Sequence, residues 1–273
     1  MSATGELAKV PAFVRRDFRI AISYRAGVFG GLLGLAAHAL VFSFVGKLVD
    51  PARLPEFGGT RVTYMEFATI GIALNMVVVL LLAQVATAIR SEQMLGTLES
   101  LLATPTRVGT IQAGSAALAV ISIPLRLALF ITVLAIIFGL DFHAGGILPS
   151  AVLVLAFVPF LWGIGLLAAG AILTFRRGVG ALTAGTAALS LVSGAFFPLS
   201  VLPAWLQTIA NANPLAITID GLREALIGGS AWASIGSDVI ELAPLSIVAM
   251  AVGVMAFRLA LARERRNGTL GLY

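Results

Sequence analysis

With 273 residues, 59% of them hydrophobic and only 11% charged, the chain lacks the polar side chains to clothe a water-facing globule, where about 25% of residues are charged. The net charge of +5 does not point to nucleic acid, because the basic residues sit at the ends of apolar runs and none interleaves with aromatics on a polar face. No cysteine is present, and His38 and His143 form no metal-ligand spacing, which excludes disulfides, thiolate catalysis and cysteine-held metals.

The apolar runs are continuous rather than alternating and reach the ~20 residues that a bilayer core requires of a helix. Backbone buried in lipid must satisfy its own hydrogen bonds, so the expected fold is all-α and polytopic. Ahead of the first run, Val10 to Tyr24 reads as an amphipathic helix in the headgroup layer. Val10, Phe13, Val14, Phe18, Ile20 and Ala21 lie broadly on one side, Arg15, Arg16 and Arg19 on the other, and Asp17 breaks the apolar face. The plainer reading is that these arginines only set topology.

Six spans are expected: 26–49, 65–89, 108–139, 147–175, 179–197 and 243–261. The first begins after Arg25, is longer than a signal-peptide core and has no processing site. Pro124 and Pro159 are expected kink points. The domain division is an interfacial segment over 1–25, a permease domain over 26–262 and a tail over 263–273. Thirteen basic residues fall on one set of connections: Lys9, Arg15, Arg16, Arg19, Arg25, Arg90, Arg107, Arg176, Arg177, Arg258, Arg263, Arg265 and Arg266. The other set holds Lys47, Arg53, Arg61 and Arg223. That bias places both termini in the cytoplasm.

Glycines and alanines are dense in the first and fifth spans, as at Gly30, Gly34, Gly180 and Gly185. They predict close helix packing, within the chain or between copies. Between the fifth and sixth spans, 198–242 stays apolar but is interrupted by Pro198, Pro203 and Pro214. Short outer re-entrant helices are expected there. A seventh span would move the arginine-rich tail outside.

Catalysis finds no support. Inside the spans the candidates for chemistry are His38, Asn75, Gln84 and Arg126, with no carboxylate well inside any span to serve as an acid or base. Ser230 has no histidine placed to activate it. The phosphate-cradling G-x-x-x-x-G-K-[ST] loop is absent, since Gly46-Lys47 is followed by Leu48. Any ATP-driven step therefore needs another polypeptide. Asn75, Gln84 and Arg126 are conduit candidates. Arg126 costs about 2.5–3.5 kcal/mol to insert near a span centre, either to meet an anionic group or, more plainly, to snorkel or cap carbonyls loosened by Pro124.

The connection RSEQMLGTLESLLATPTR, from Arg90 to Arg107, reads as a short cytoplasmic helix with Ser91 as a cap. Met94, Leu95, Leu98, Leu101 and Leu102 make an apolar flank, and Glu92 and Glu99 remain polar. It is either a handle for a partner or a surface helix seated on the bilayer. The run Glu92, Gly96, Thr97, Glu99, Leu101, Leu102, Thr104 and Pro105 resembles the E-x-x-x-G-T-x-E-x-L-L-x-T-P signature of type-2 ABC exporter permeases. A second stretch, Ser193 to Leu226, with Gly194, Phe196, Phe197, Pro198, Pro203 and Pro214, is similar to that family's outer re-entrant segment.

The resemblance implies a permease dimer of identical chains or paralogues, seated on cytosolic ABC ATPase subunits that carry the ATP and magnesium. Glu92, Gly96, Thr97, Glu99 and Pro105 would form the coupling helix, and Arg15, Arg16 and Arg19 would lie on the interfacial gate helix. The cargo class would be lipid-linked glycans, lipids or amphipathic drugs, and the location the bacterial inner membrane. The family often has a basic residue soon after the first glutamate, where this chain has Gln93 and Met94. The rival classes, a secondary transporter or a membrane-embedded hydrolase, lack their intramembrane carboxylates and activated nucleophile.

Overall fold

The computed structural model describes residues 6, 8–23, 30, 34, 37, 40–47, 49, 54–175, 178–229 and 231–267. His38, Arg25, Arg53, Arg176, Arg177 and most of the expected first span lie outside them, as do the side chains of Glu99, Leu102 and Arg265. All regular structure among the described residues is helical, with one isolated bridge between Phe57 and Thr60.

The elements are α1 (Val10–Ser23), α2 (Tyr64–Met94), α3 (Leu98–Leu102), α4 (Val108–Ile121), α5 (Ile123–Phe138), α6 (Ile147–Phe175), α7 (Gly178–Leu191), α8 (Ala204–Asn211), α9 (Pro214–Arg223) and α10 (Ala231–Asn267). A π-helical turn, Glu224–Gly228, follows α9. Among the described residues, four stretches are long and apolar enough to cross a membrane: Tyr64–Met94, Val108–Phe138, Ala144–Phe175 and Ile235–Glu264.

Local chemistry sets the boundaries. Thr63 and Glu66 close a capping box that starts α2, each side chain satisfying the other's free backbone N–H. The chain breaks between α4 and α5 at Ser122, and Pro124 sits in the first turn of α5, where its missing N–H costs nothing. Gly139, at φ 62° in the left-handed region, ends α5. Pro159 and Pro244 lie inside α6 and α10, which run through them.

Two expected boundaries move. Helix α10 starts at Ala231 rather than near residue 243. The reason is that 231–242 carries Ser237, Asp238 and Glu241, so hydropathy alone does not read it as part of a span. Helix α7 has 14 residues, about 21 Å at about 1.5 Å per residue, shorter than the ~30 Å hydrocarbon core. Its chain turns at 192–197 instead of continuing as helix.

Helix α2 is the axis of the bundle, packed against α4, α5, α6, α7 and α9. Its core side chains include Phe67, Ile70, Leu74, Leu82 and Ile89. Helices α6 and α10 lie backbone to backbone: a Cβ on Gly163 would stand 2.3 Å from the Ala249 carbonyl, and one on Gly253 would meet the Gly163 carbonyl oxygen at 2.0 Å. The close small-residue packing is therefore here. Among the described residues, a Cβ on Gly30, Gly34, Gly180 or Gly185 would meet nothing within 4 Å.

Candidate functional site

Two polar clusters tie the bundle together, one at each end. At the arginine-rich end, α2 leaves its last turn through Leu95 and Gly96, which has φ 69°. Ser91 is no cap: it lies inside α2 and its hydroxyl donates to the Ala88 carbonyl at 2.8 Å. Nor does Glu92 face outward, since it is 3% exposed.

A buried carboxylate is costly unless paired and hydrogen-bonded, and Glu92 has several partners. Arg16 of α1 donates to it at 2.6 Å, Ser115 of α4 donates at 3.1 Å, and the Thr97 hydroxyl donates to its other oxygen. The Thr97 amide donates to the Glu92 carbonyl at 3.0 Å and locks the turn into α3. Arg16 also donates to Asp17 at 2.7 Å and lies over the Phe13 ring, 5.2 Å from its centroid. One carboxylate thus joins α1, α2, α4 and the α2–α3 turn.

Helix α1 is seated by packing as well. Phe13 is buried against Gly114, where a Cβ would stand 2.6 Å from ring atoms. Glu6 forms a second clasp, accepting from the Thr110 hydroxyl at 2.6 Å, from Lys9 at 2.9 Å and from the Arg107 amide at 3.2 Å. The Thr110 and Lys9 bonds pull its pKa from about 4.5 to about 2, because they favour the charged form. Lys9 also donates to the Pro105 carbonyl. Arg15 and Arg19 stay exposed, whereas Arg16 faces the bundle. The expected sidedness of α1 differs in that one arginine, drawn inward by Glu92. Phe18, Ile20 and Ile22 are exposed on its second half.

The turn itself projects. Met94 and Leu95 are 75% and 74% exposed, Gly96 is exposed, and Leu98 behind them is buried. Pro105 and Thr104 are exposed beyond α3.

At the opposite end the centre is Arg223, 1% exposed. Its guanidinium donates to the Phe67 carbonyl at 3.1 and 3.0 Å, to the Gly194 carbonyl at 2.9 Å and to Asp220 at 2.8 Å. It also stacks over the Phe67 ring, 3.5 Å from its centroid. Arg223 therefore bolts α9 to α2 and to the corner after α7. In the sequence it reads only as a loop charge; the Asp220–Arg223 spacing signals a helical ion pair but not burial.

The expected outer residues gather around this bolt. Gly194, at φ 71°, supplies one carbonyl. Phe196 stacks on Phe42 at 5.4 Å and its carbonyl accepts from the Tyr64 hydroxyl at 2.9 Å. Phe197 is partly buried beside it, and Pro198, Pro203 and Pro214 each open a short helix. Asn213 caps α9, accepting from the Leu215 amide at 3.0 Å. Elsewhere at this end, the His143 amide donates to the Leu226 carbonyl at 2.7 Å.

The three conduit candidates have different surroundings. Asn75 is buried and donates to Ser190 of α7 at 2.6 Å. Gln84 is exposed on α2 beside Val79, Leu80 and Ala83. Arg126 is half-buried on α5, and among the described residues no side chain pairs with its guanidinium. No group of histidines and carboxylates able to hold a metal occurs among the described residues.

The profile of the ABC-2 type transporter family matches residues 12–227, most of the chain from α1 to the π-helical turn. The chain belongs to the ABC-2 type transporter family. No curated protein gives a significant match. An ABC-2 chain is the membrane component of a transport system and does not itself bind nucleotide; the family typically works with an ABC ATPase.

Proposed function

We propose that this chain is the permease subunit of an ATP-driven exporter of amphipathic molecules, such as lipid-linked glycans, lipids or drugs. It crosses a bacterial inner membrane six times, with both termini in the cytoplasm and α8, α9 and the π-helical turn dipping into the outer leaflet. It dimerises with an identical chain or a paralogue, and the exposed glycine faces at Gly30, Gly34, Gly180 and Gly185 support a helix-lined contact between copies. ATP and magnesium belong to a cytosolic ABC ATPase that grips 92–105.

The observation that carries this reading is the construction of that turn. Met94, Leu95 and Gly96 project into solvent while Glu92, directly behind them, is bonded to three separate elements. An ATPase pressing on the projection would move α1, α2 and α4 as one body. Gly96, Thr97 and Pro105 shape the projection, Glu92 transmits its displacement, and Arg16 extends it to α1. ATP binding would drive such a change only if the ATPase binds the two packings with different affinity. Asn75, Gln84 and Arg126 remain our conduit candidates, with Arg15 and Arg19 holding α1 in the headgroup layer.

The test is reconstitution with an ABC ATPase subunit that co-purifies with this chain. Gly96→Asn, which tolerates the left-handed backbone, combined with Glu99→Ala should abolish ATPase binding and ATP-driven efflux while membrane insertion persists. Undiminished complex formation and efflux would falsify the coupling role.

A further inference from the structure

The break at Ser122 has a structural consequence at the far end of α5. Helix α5 leans on α2 and hardly touches α6. The wedge left between α5 and α6 is a cavity of about 630 Å³, floored by Leu222 and Leu226 of the outer hairpin. Its walls are apolar except at three places: Thr132, Ser150 and Asp141.

Ser150 is buried and, among the described residues, its hydroxyl has no hydrogen-bond partner. A helical serine can donate back to the carbonyl one turn earlier; this one does not. A buried hydroxyl left unbonded costs about 1–3 kcal/mol, so the site is incomplete as it stands. Asp141 is exposed and has no ion-pair partner among the described residues. It is also the one charged residue in the lining.

We propose that this cavity is a lateral site for an ethanolamine phospholipid of the leaflet opposite the arginine-rich end. An acyl chain fills the apolar wedge between α5 and α6. The Ser150 hydroxyl donates to an ester carbonyl of the lipid, and the ammonium of the headgroup pairs with Asp141. The volume falls within the ~300–1,000 Å³ of small-molecule sites, which combine apolar walls with a few placed polar groups. The single carboxylate sets the headgroup preference, because it accepts hydrogen bonds from a primary ammonium, which the quaternary nitrogen of choline cannot donate, and repels a headgroup carrying only phosphate charge. With Leu222 and Leu226 in its floor, an occupied site braces the hairpin that Arg223 anchors. This inference does not depend on the exporter reading; it requires only that the chain sits in a bilayer.

The experiment uses the full chain in nanodiscs containing a trace of phospholipid with a photoreactive diazirine on one acyl chain. The headgroup is ethanolamine, choline or glycerol, and labelled peptides are mapped by mass spectrometry. The ethanolamine probe should label 124–154 in preference to the lipid-facing positions Ile247, Val248 and Val252 on α10. Ala151→Trp, which fills the wedge, should cut labelling of 124–154 by about tenfold and leave α10 labelling unchanged. Ala151→Leu serves if the larger side chain prevents folding. Asp141→Asn should lower the ethanolamine preference over glycerol by roughly two- to fivefold, as expected for one exposed ion pair. Equal labelling of α5, α6 and α10, indifference to both Ala151 variants, or equal labelling by the glycerol probe would each overturn the proposal.

Discussion

Glu92 and Arg223 are the two buried charges on which the ends of this molecule turn, and they are satisfied in different ways. Glu92 spreads its charge over side chains from three elements, so it can respond to movement of any of them. Arg223 donates to Asp220 and otherwise to the backbone carbonyls of Phe67 and Gly194, which move only with α2 and with the corner after α7. Arg223→Leu should therefore destabilise the fold by about 1–3 kcal/mol, the cost of leaving a buried carbonyl acceptor such as that of Gly194 unbonded. It would appear as loss of folded protein in detergent-resistance assays, with Arg223→Lys intermediate. Glu92→Gln should leave insertion intact and reduce ATP-driven efflux by about tenfold. Adding Arg16→Met should reduce it little further, because residues in one network lose their energy together; additive losses would separate them. Glu6 carries a pH dependence. Its folded pKa of about 2 lies below the ordinary 4.5, so its clasp contributes fully above pH 4.5 and is lost as pH falls from 4.5 toward 2. A spin label at Ala12→Cys should be immobile at pH 6 and gain mobility across that window, and Glu6→Gln should be mobile throughout.

At the scale of elements, α1 is held, beside its ionic clasps at Glu92 and Glu6, by a fit between one ring and one glycine. A Cβ at position 114 would lie 3.0 Å from the Phe13 Cβ, close to the ~3.5–4.5 Å spacing of a disulfide. The chain has no cysteine, so Phe13→Cys with Gly114→Cys should crosslink cleanly on oxidation. Gly114→Leu should release α1 and expose 10–23 to protease. Failure to crosslink in both detergent and bilayer would mean that α1 does not sit on α4. The α6–α10 contact is of another kind, backbone on backbone at Gly163 and Gly253. Gly163→Val should force those helices apart and lower thermal stability more than Gly180→Val, which meets open space.

Over the whole molecule, the two tied ends are joined by α2, which carries Glu92 near one terminus and offers the Phe67 carbonyl to Arg223 near the other. A displacement of the 92–105 turn thus has a continuous helix through which to reach α9 and the corner after α7. Double electron–electron resonance between labels on the turn and on α8 should show two distance populations whose weights shift when ATP binds the partner ATPase. A single population unchanged by nucleotide would reduce α2 to a passive strut.

How much of this was legible without coordinates follows from what each signal measures. Hydropathy and charge asymmetry depend only on local composition, so the all-helical membrane class and the runs at 65–89, 108–139 and 147–175 could be read directly. The motif between Glu92 and Pro105 identified the family for the same reason. The start of α10 was missed because Asp238 and Glu241 mask an amphipathic helix from any apolar-run criterion. Burial is a property of neighbours distant in sequence. In the sequence Glu92 reads only as a polar residue beside an apolar flank and Arg223 only as a loop charge; burial comes from α1, α4 and the corner after α7 packed against them. The sequence by itself determined that helices form and where most of them run. Only the tertiary structure decided which charges are enclosed, because enclosure requires partners as far apart as Arg16 and Glu92, and no local pattern records them.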